Sequence, residues 1–307
     1  MIPFMATLGH GFKVGHWTNE QGNSGCTVVL PPPGNVASCD IRGSSPSSRE
    51  LEHLDLERRL TEIHAVLMTG GSAFGLAAGD GVVAWLEEHG IGYETPIGPI
   101  PIVPGAVVFD IGTADREARP TAESGRASCE DARADGIATG KIGAGTGATV
   151  GKWAGREHAS PGGVGIATVE QEGASVSAVA VVNAIGDIVA DDGTVIAGTR
   201  AGSPEFVMPV RRDRAGNLLD EPPTNTVLAT VVTTADLDKR DLRWLASRGS
   251  DGVTKAVRPA HTRYDGDVVF AVAGPGLEAN VDLLGHLATE AVASAVRNAV
   301  ASEQNLS

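Results

Sequence analysis

The residue of this chain that is best placed for chemistry is a threonine at the start of an apolar run. Asn225 and Thr226 follow a hydrophilic, proline-rich stretch and precede the run VLATVV at 227–232. If the peptide bond between them were cut, Thr226 would carry a hydroxyl nucleophile and a free α-amine, whose pKa of about 7.7–8.0 suits a general base at neutral pH. A threonine activated by its own amine is an established nucleophile. An ordinary turn before a strand has the same sequence, so the dipeptide alone leaves the role open.

A second group of chemically capable residues lies near the end of the chain. His261, Asp265 and Asp267 share the short stretch HTRYDGD at 261–267, which precedes an apolar run. Imidazole and carboxylate groups are metal ligands, so this spacing allows a metal-dependent hydrolase. A metal site needs ligands that converge, and no second cluster of such residues stands out in the sequence. A solvated acidic turn before a strand explains the same pattern, and both interpretations stay open.

Two glycine-rich stretches come close to known site motifs and fail. In GAGTGATVGKW at 143–153, Trp153 stands where a phosphate-binding loop needs serine or threonine after Gly-Lys, and the dinucleotide glycine spacing is also broken. In GGSAFG at 70–75, Phe74 occupies the position that a nucleophile elbow gives to glycine. We therefore expect no nucleotide cofactor. A glycine turn that opens a helix is still a natural pocket wall, which makes Gly71 and Ser72 candidate substrate contacts.

Composition excludes several classes of protein. The 307 residues are 42% hydrophobic, with 24 basic against 38 acidic side chains and a formal net charge of −14. A surface this negative repels phosphate backbones and anionic lipid, so neither nucleic acid nor a membrane is an expected partner. The three cysteines are too few, and odd in number, for a disulfide framework. With no recognisable signal segment and no long apolar run, we expect a cytoplasmic protein.

In the N-terminal half, local patterns predict short strands and two helices. Apolar runs at 27–30 and 36–41, separated by PPPGN, predict a hairpin over 24–42. A buried strand is expected at 64–69, followed by a helix with Ser72 as N-cap that ends near His89, with Gly90 as its stop. The prolines between 96 and 104 predict an extended segment before a strand at 106–111. A second helix is expected over 126–135.

The C-terminal half has the stronger periodic signals. Strands are expected at 164–169, 176–182 and 188–190, then an exposed linker over 201–225, and strands at 227–232 and 268–272. Two helices follow from apolar stripes at helical spacing: Leu242, Leu245, Ala246, Val253 and Val257 in the first, and Leu284, Leu287, Ala288, Ala291, Ala295 and Ala299 in the second. Strands and helices interleave without a regular βαβ rhythm, so a layered α+β fold is favoured.

Several stretches, in this order along most of the chain, carry a resemblance to a known family. They are VGH at 14–16, GCTVVL at 25–30, MTGGSAFGL at 68–76, PIVP at 101–104, Asn225-Thr226, RPAHT at 258–262 and DGD at 265–267. Together they resemble the self-processing N-terminal-nucleophile hydrolases that include the L-aminopeptidase D-amidase/esterases, the β-peptidyl aminopeptidases and the nylon-oligomer endo-hydrolases.

The resemblance implies a single domain over 1–307 with a four-layer αββα sandwich. It also implies a precursor that cuts itself between Asn225 and Thr226, into associated chains 1–225 and 226–307. Thr226 would then attack substrate amides or esters, through an acyl-enzyme that water resolves. The expected enzyme is an aminopeptidase, a D-amino-acid amidase/esterase or an oligoamide hydrolase, without metal or other cofactor. A tetramer or larger assembly of processed protomers is expected.

Four further site residues follow from the resemblance. Asp265 and Asp267 match the carboxylates that orient the nucleophile, and a carboxylate near the Thr226 ammonium would tune its proton affinity. Lys152 and Asn183 match positions near the nucleophile. Asn183 ends an apolar strand, where its amide could donate to the oxyanion or could equally cap its own turn. Without the resemblance, Lys152 would be taken for a surface lysine.

The chain also departs from its relatives. Val227 follows Thr226 where relatives often carry a second hydroxyl residue, and Phe109, a candidate substrate contact, stands where some relatives have tyrosine. The stretch GSSPSSRE at 43–50 replaces a more glycine-rich loop, so contacts on the substrate side are expected to differ. The identity of the amide substrate stays open. So do two alternatives, the metal-dependent hydrolase on His261, Asp265 and Asp267, and a processed scaffold without catalysis.

Overall fold

The computed structural model describes residues 5–9, 11–110, 118–202 and 225–301. The strands are β1 (Met5–Ala6), β2 (Lys13–Asn19), β3 (Ser24–Leu30), β4 (Val36–Ile41), β5 (Ser48–Arg49), β6 (Val66–Thr69), β7 (Tyr93–Thr95), β8 (Gly98–Ile100), β9 (Gly105–Val107), β10 (Ile137–Ala138), β11 (Thr149–Val150), β12 (Ser160–Pro161), β13 (Gly163–Gln171), β14 (Ala174–Asn183), β15 (Asp187–Val189), β16 (Val195–Ala197), β17 (Thr226–Thr234), β18 (Val257–Arg258) and β19 (Val268–Gly274). The helices are α1 (Ala78–Glu88), α2 (Ala122–Glu130), α3 (Lys239–Ala256) and α4 (Val281–Ala301).

Two five-stranded sheets form the centre of the fold. The first has the order β2-β3-β6-β9-β5, and the second has the order β13-β14-β17-β19-β4. Neighbours run antiparallel except for β6 with β9 and β17 with β19, which are parallel. The parallel pair β17 and β19 is joined through α3, since parallel strands need a crossover connection. Strands from both ends of the chain thus share the second sheet.

Apolar packing covers both faces of each sheet. In β17, Val227, Ala229 and Val231 pack with α3 and α4, whereas Leu228 and Val232 face a cluster shared with strands of the first sheet. The other face of the first sheet packs against α1 and α2. Alternate residues of a strand point to opposite faces, so a strand buried on both faces reads as one continuous apolar run. This is why 227–232 carries a strong sequence signal.

The predicted hairpin over 24–42 is wrong, although both of its strands exist. β3 pairs with β2 and β6 in the first sheet, whereas β4 pairs with β19 in the second. Val29 and Cys39 belong to the same apolar cluster between the two sheets. The connection PPPGN has three fixed prolines that cannot form the tight turn of a hairpin, and its length suits a passage between packed sheets about 10 Å apart.

The first predicted helix begins later than expected. Residues Ser72–Ala77 form a 3-10 helix, and α1 starts only at Ala78. Ser72 has a φ of 53° and no capping role, because Gly71, with a φ of 79°, makes the turn before it. The predicted stop is confirmed, since α1 ends at Glu88 and Gly90 follows with a φ of 68°.

The second helix lies earlier than the expected 126–135. It spans Ala122–Glu130, with Thr121 and Ser124 forming a capping box at its start. Its buried face consists of small residues, Ser124, Gly125, Ser128 and Cys129, and such a face gives little periodic apolar signal.

The C-terminal predictions are confirmed for β17, β19, α3 and α4, except that α3 ends at Ala256 and Val257, expected on its apolar face, begins β18. The predicted linker over 201–225 lies almost wholly outside the described residues, and Asn225, at its end, is buried rather than exposed. The predicted strand at 106–111 is shorter, as β9 ends at Val107, and Ile111 lies outside the described residues. Within the described ranges, none of the helices combines the length and apolar character needed to cross a bilayer.

Candidate active site

The site lies where two neighbouring strands of the second sheet meet. Thr226 is the first residue of β17 and Asn183 is the last of β14, and the two are direct partners in the antiparallel ladder. Directly opposed residues of such a pair have Cβ atoms about 4.5–5.5 Å apart. Both residues are buried. The register therefore places the predicted nucleophile beside one of the four residues assigned to it by resemblance.

The hydroxyl of Thr226 lies against the peptide bond that precedes it. Thr226 Oγ1 donates to the carbonyl oxygen of Asn225 at 2.5 Å, and the backbone N–H of Gly266 donates to the same oxygen at 3.0 Å. Asn225 and Asp265 also form an isolated parallel bridge. The Asn225 carbonyl oxygen is thus held by two donors, and one of them is the Thr226 hydroxyl.

Gly266 is a residue of the candidate site that the sequence reasoning missed. A Cβ at this residue would lie 2.9 Å from Thr226 Oγ1 and 2.9 Å from the carbonyl oxygen of Ser45. Only a residue without a side chain fits such a close approach to the hydroxyl. A glycine between two aspartates was the available signal, in the stretch DGD at 265–267.

The two predicted carboxylates flank Gly266 and are buried. Asp267 Oδ1 accepts the backbone N–H of Val227 at 2.6 Å, so this side chain holds the residue that follows Thr226. Asp265 Oδ2 accepts the backbone N–H of Thr262 at 2.5 Å. Burial, and next the charge of Asp267, raise the pKa of Asp265 to about 6, against the lowering effects of Thr262 and Lys152. The pair thus includes one group that titrates close to neutral pH.

Lys152 is buried, and the surface-lysine interpretation is wrong. Its Nζ donates to Oδ1 of Asn183 at 2.8 Å and to the carbonyl oxygen of Asn183 at 3.1 Å. Burial holds the pKa of Lys152 well below its usual value, the positive charge of Arg156 lowers it further, and Asp265 opposes both. An amine in this environment favours its neutral form, which can accept a proton.

The Asn183 side chain connects three parts of the site. Its Oδ1 accepts from Lys152 and from the backbone N–H of Thr149 at 3.0 Å. Its Nδ2 donates to the carbonyl oxygen of Phe109 at 3.2 Å. In the intact chain this amide is therefore bound to Phe109, and the side chain joins three separate segments of the chain in place of capping its own turn.

The three candidate substrate contacts lie on two neighbouring segments, Gly71 and Ser72 on one and Phe109 on the other. Gly71 donates its N–H to Asp110 Oδ1 at 2.7 Å, and Ser72 donates its N–H to the carbonyl oxygen of Val108 at 3.1 Å. The turn at Gly71 and Ser72 is thus hydrogen-bonded to the residues on either side of Phe109, and the Phe109 carbonyl accepts from Asn183.

Asp110 fixes this turn, and the sequence reasoning missed it. Its Oδ2 accepts from the Ser24 hydroxyl at 2.8 Å, while Oδ1 accepts from Gly71. Burial raises the pKa of Asp110, and its hydrogen bonds with Gly71 and Ser24 oppose that rise. A single aspartate after an apolar strand carries no sequence signal for this contact.

The loop that departs from the family pattern supports the acidic pair. The backbone N–H groups of Arg42 and Gly43 donate to the carbonyl oxygen of Asp267 at 3.2 and 3.1 Å, and Ser45 donates to that of Asp265 at 3.1 Å. The expectation for this loop was altered substrate contacts. That expectation stays a prediction, and the observed contacts fix the backbone that carries both carboxylates.

The donor atoms needed for the metal alternative are engaged elsewhere. Asp267 uses both oxygens, on Val227 and on His261, and Nε2 of His261 faces the carbonyl oxygen of Ser250. Among the residues whose placement is described, no group of three histidine, cysteine or acidic side chains could hold a metal ion. The geometry gives the alternative of a metal site on His261, Asp265 and Asp267 no support.

Comparison with known proteins agrees with the geometry. The profile described as Peptidase family S58 matches residues 10–307. An uncharacterised aminopeptidase from Mycobacterium leprae is 40% identical over 290 residues, which cover 88% of this chain and 78% of that protein. A 6-aminohexanoate-oligomer endohydrolase from Agromyces sp. is 29% identical over 313 residues, covering 94% and 84%.

Solved structures show the same fold. A β-aminopeptidase from Burkholderia sp. matches with a TM-score of 0.70 at 21% identity, over 98% of this chain and 89% of that one. An L-aminopeptidase D-Ala-esterase/amidase from Ochrobactrum anthropi, described as a variant of the Ntn-hydrolase fold, matches with a TM-score of 0.71 at 19% identity, covering 96% and 87%. The fold is thus the mixed α/β fold of these Ntn-type aminopeptidases. The chain belongs to peptidase family S58 and is a hydrolase that acts on amide bonds.

Proposed function

We propose that the chain is a precursor that cuts itself between Asn225 and Thr226 and then hydrolyses amides with Thr226 as nucleophile. The observation that carries this proposal is the position of Thr226 Oγ1, 2.5 Å from the carbonyl oxygen of Asn225, with Gly266 N–H on the same oxygen. The products would be 1–225 and 226–307 within one domain, and the three apolar clusters support the four-layer αββα order for it.

The first cut needs a base other than the α-amine of Thr226, because that amine is still part of a peptide bond. We assign this role to Lys152, whose burial favours the neutral amine and which is bonded to Asn183, the ladder partner of Thr226. Thr226 Oγ1 attacks the Asn225 carbonyl carbon and its proton passes to Lys152. Gly266 N–H stabilises the oxyanion, as a preorganised backbone donor does.

Collapse of the tetrahedral intermediate breaks the C–N bond. The α-amine of Thr226 leaves with the proton returned by Lys152, and Asn225 remains as an ester on Thr226 Oγ1. Water hydrolyses this ester, which yields a carboxylate on Asn225 and a free hydroxyl and amine on Thr226. The Asn225 side chain is buried, and among the described residues neither of its amide atoms has a hydrogen-bond partner, so Nδ2 can donate to the new carboxylate and Oδ1 can accept from water.

In the mature enzyme the same groups act on an external amide. The Thr226 amine takes the hydroxyl proton, the substrate carbonyl forms an ester with Oγ1, and the amine product leaves before water completes hydrolysis. Asp265 and Asp267 orient the Thr226 backbone, and Asn183 positions Lys152. Because the Asn183 amide carries two N–H groups, a bond to the oxyanion does not require its Nδ2 to leave the Phe109 carbonyl. Gly71, Ser72 and Phe109 form the substrate wall.

We assign a short peptide or another amide with a free amine as substrate. The relatives named aminopeptidase and oligomer endohydrolase act on such bonds by name, and the net charge of −14 favours a cationic substrate over an acidic one. An assembly of processed protomers, tetrameric or larger, belongs to the same proposal. So does a reducing, cytoplasmic location, which the buried and unpaired cysteines Cys26, Cys39 and Cys129 support.

Intact mass under denaturing conditions tests the cut directly. Scaling 31.4 kDa by residue number, the wild type should give pieces of about 23 and about 8 kDa, and Thr226→Ala should give one uncut chain. Thr226→Ser, which keeps a hydroxyl, should still cut. An uncut wild type that hydrolyses amides would overturn the mechanism. A cut chain that turns over no amide or ester would identify a scaffold instead.

A further inference from the structure

One histidine joins helix α3 to the acidic pair, and the mechanism above does not use it. His261 Nδ1 lies 2.7 Å from Asp267 Oδ2, and His261 Nε2 lies 3.1 Å from the carbonyl oxygen of Ser250 on α3. Its side chain is 13% exposed. The residue also has a φ of 52°, a left-handed conformation that non-glycine residues rarely adopt and that the surrounding contacts must hold.

The two contacts determine where the protons lie. A backbone carbonyl can only accept, so Nε2 must carry a proton. The proton between Nδ1 and Asp267 then resides either on the ring, giving an imidazolium with a carboxylate, or on Asp267. The other oxygen of Asp267 accepts the Val227 N–H at 2.6 Å, and this hydrogen bond favours the carboxylate.

The charge around the ring agrees with this assignment. Burial lowers the pKa of His261, but the hydrogen bond and the charge of Asp267 outweigh burial and raise that pKa overall, helped by the Ser250 carbonyl. The positive charge of Arg42, in the loop after β4, opposes this rise, although Arg42 is paired with Asp40 and with Asp251 on α3. The negative charge facing His261 therefore prevails.

We propose that His261 is a positioning residue, an imidazolium held between Ser250 and Asp267 that keeps Asp267 ionised and aimed at the backbone N–H beside the nucleophile. The proposal rests on the proposed role of Thr226. His261 touches neither Thr226 nor Asn225 among the described contacts, and it acts through Asp267. Its positive charge also offsets the two buried carboxylates, Asp265 and Asp267, whose mutual repulsion favours a proton on one of them.

Loss of His261 should therefore change the pH dependence of the cut and not only its rate. Without the imidazolium, the carboxylate pair keeps a proton to higher pH, since a nearby opposite charge shifts a carboxyl group by about 1–3 pH units. For His261→Ala, the acid limb of the rate profile should move up by about one pH unit. The rate at pH 6 should fall about tenfold, with recovery to near the wild-type rate at pH 9.

The experiment follows cutting of the full chain made by cell-free translation and diluted into buffers from pH 5 to pH 9. His261→Asn keeps a donor near the Nδ1 position and should retain more of the wild-type profile than His261→Gln, which reaches towards Ser250. His286→Ala, an exposed histidine on α4, is the matched control and should match the wild type. A profile of unchanged shape in His261→Ala, whether slower or not, would overturn the proposal.

A second measurement does not depend on how the His261 variants fold. In the uncut Thr226→Ala chain, histidine ring resonances report the protonation of His261, assigned as the signal that is missing from the Thr226→Ala/His261→Asn chain. An imidazolium that persists above pH 6.5 is expected, and a neutral ring at pH 6 would overturn the proposal. If the wild type never cuts, the proposed function fails first. If the wild type cuts but the pH profile and the histidine resonance both contradict expectation, only the proposed role of His261 fails.

Discussion

The backbone N–H of Gly266 donates to the carbonyl oxygen of Asn225 at 3.0 Å, so a donor is already placed on the bond whose cleavage we propose. No side chain has to move to provide it. Preorganised donors of this kind commonly contribute about 3–4 kcal/mol to transition-state stabilisation in acyl transfer. The same glycine lies directly against the Thr226 hydroxyl.

Gly266→Ala should block the cut while leaving a folded chain. The added methyl would lie 2.9 Å from Thr226 Oγ1, so the hydroxyl or the loop must shift, and a displacement of about 1 Å costs on the order of 100-fold in rate. Overpacking should lower the free energy of unfolding by about 1–3 kcal/mol. Denaturing mass and urea unfolding measure the two effects. Gly202→Ala, where the new Cβ meets nothing within 4 Å, is the control and should cut normally.

Lys152→Met should abolish the cut without destabilising the chain. Because the folded-state pKa of Lys152 is depressed, the folded chain binds its proton less tightly than the unfolded chain. The stability penalty is therefore largest at low pH and fades as pH rises towards the ordinary lysine value of about 10.4. In a Thr226→Ala background, which keeps the chain uncut, the Lys152→Met substitution should raise the free energy of unfolding more at pH 7 than at pH 9.5.

The control for that prediction is Lys141→Met, since Lys141 is exposed on a nearby segment. It should cut at the wild-type rate and show no such pH-dependent difference in urea unfolding. A Lys152→Met chain that still cuts at the wild-type rate would contradict the assignment of Lys152 as the base.

Asp265 should produce a pH-dependent term in stability. Its folded-state pKa of about 6 lies above the unfolded value, so the protonated acid favours the folded state. Its contribution is complete below about pH 4 and is lost as pH rises through 6, which amounts to about 2 kcal/mol between pH 4 and pH 7. Urea unfolding of Thr226→Ala should show this loss, and the Asp265→Asn variant of that chain should lack it. Equal pH slopes in the two chains would refute the shift.

Asp110 should affect substrate turnover more than the cut. Asp110→Ala removes the acceptor of the Gly71 N–H and of the Ser24 hydroxyl, which loosens the turn that forms the proposed substrate wall. Each buried donor left unpaired costs about 1–3 kcal/mol. We expect normal processing by mass, a lower midpoint of thermal unfolding and a raised KM for any amide that the wild type hydrolyses. Ser24→Ala, which leaves Gly71 bonded, should show a smaller rise in KM.

The parts of the fold that sequence predicts well are those with a simple burial pattern. β17 and β19 are buried on both faces, and α4 has one uninterrupted apolar stripe, so the local sequence of each is enough to predict it. The sheet to which a strand belongs is a long-range property. The prolines at 31–33 disfavour a tight turn between β3 and β4, but the actual partners of these two strands depend on which distant apolar surfaces meet.

The residues of the candidate site also fall into two groups, those that the sequence identifies and those that only the folded chain reveals. Thr226 could be singled out from its position at the start of an apolar run, and the family resemblance assigned Asp265 and Asp267 to it. Lys152 could not be called buried from its own sequence, since its environment comes from Asn183 and from burial within the folded chain. Gly266 and Asp110 act through backbone contacts, and these exist only once distant segments are brought together.

The strand order of the second sheet determines how the thermal stability of a cut chain would depend on its concentration. β17 and β19 come from the segment after Thr226, yet β14 flanks them on one side and β4 on the other, both from the segment before it. Separation of the two products would thus require two ladders to break at once. A processed protomer would be an obligate heterodimer, its unfolding would follow mass action, and its melting temperature would rise with protein concentration where that of the uncut chain would not.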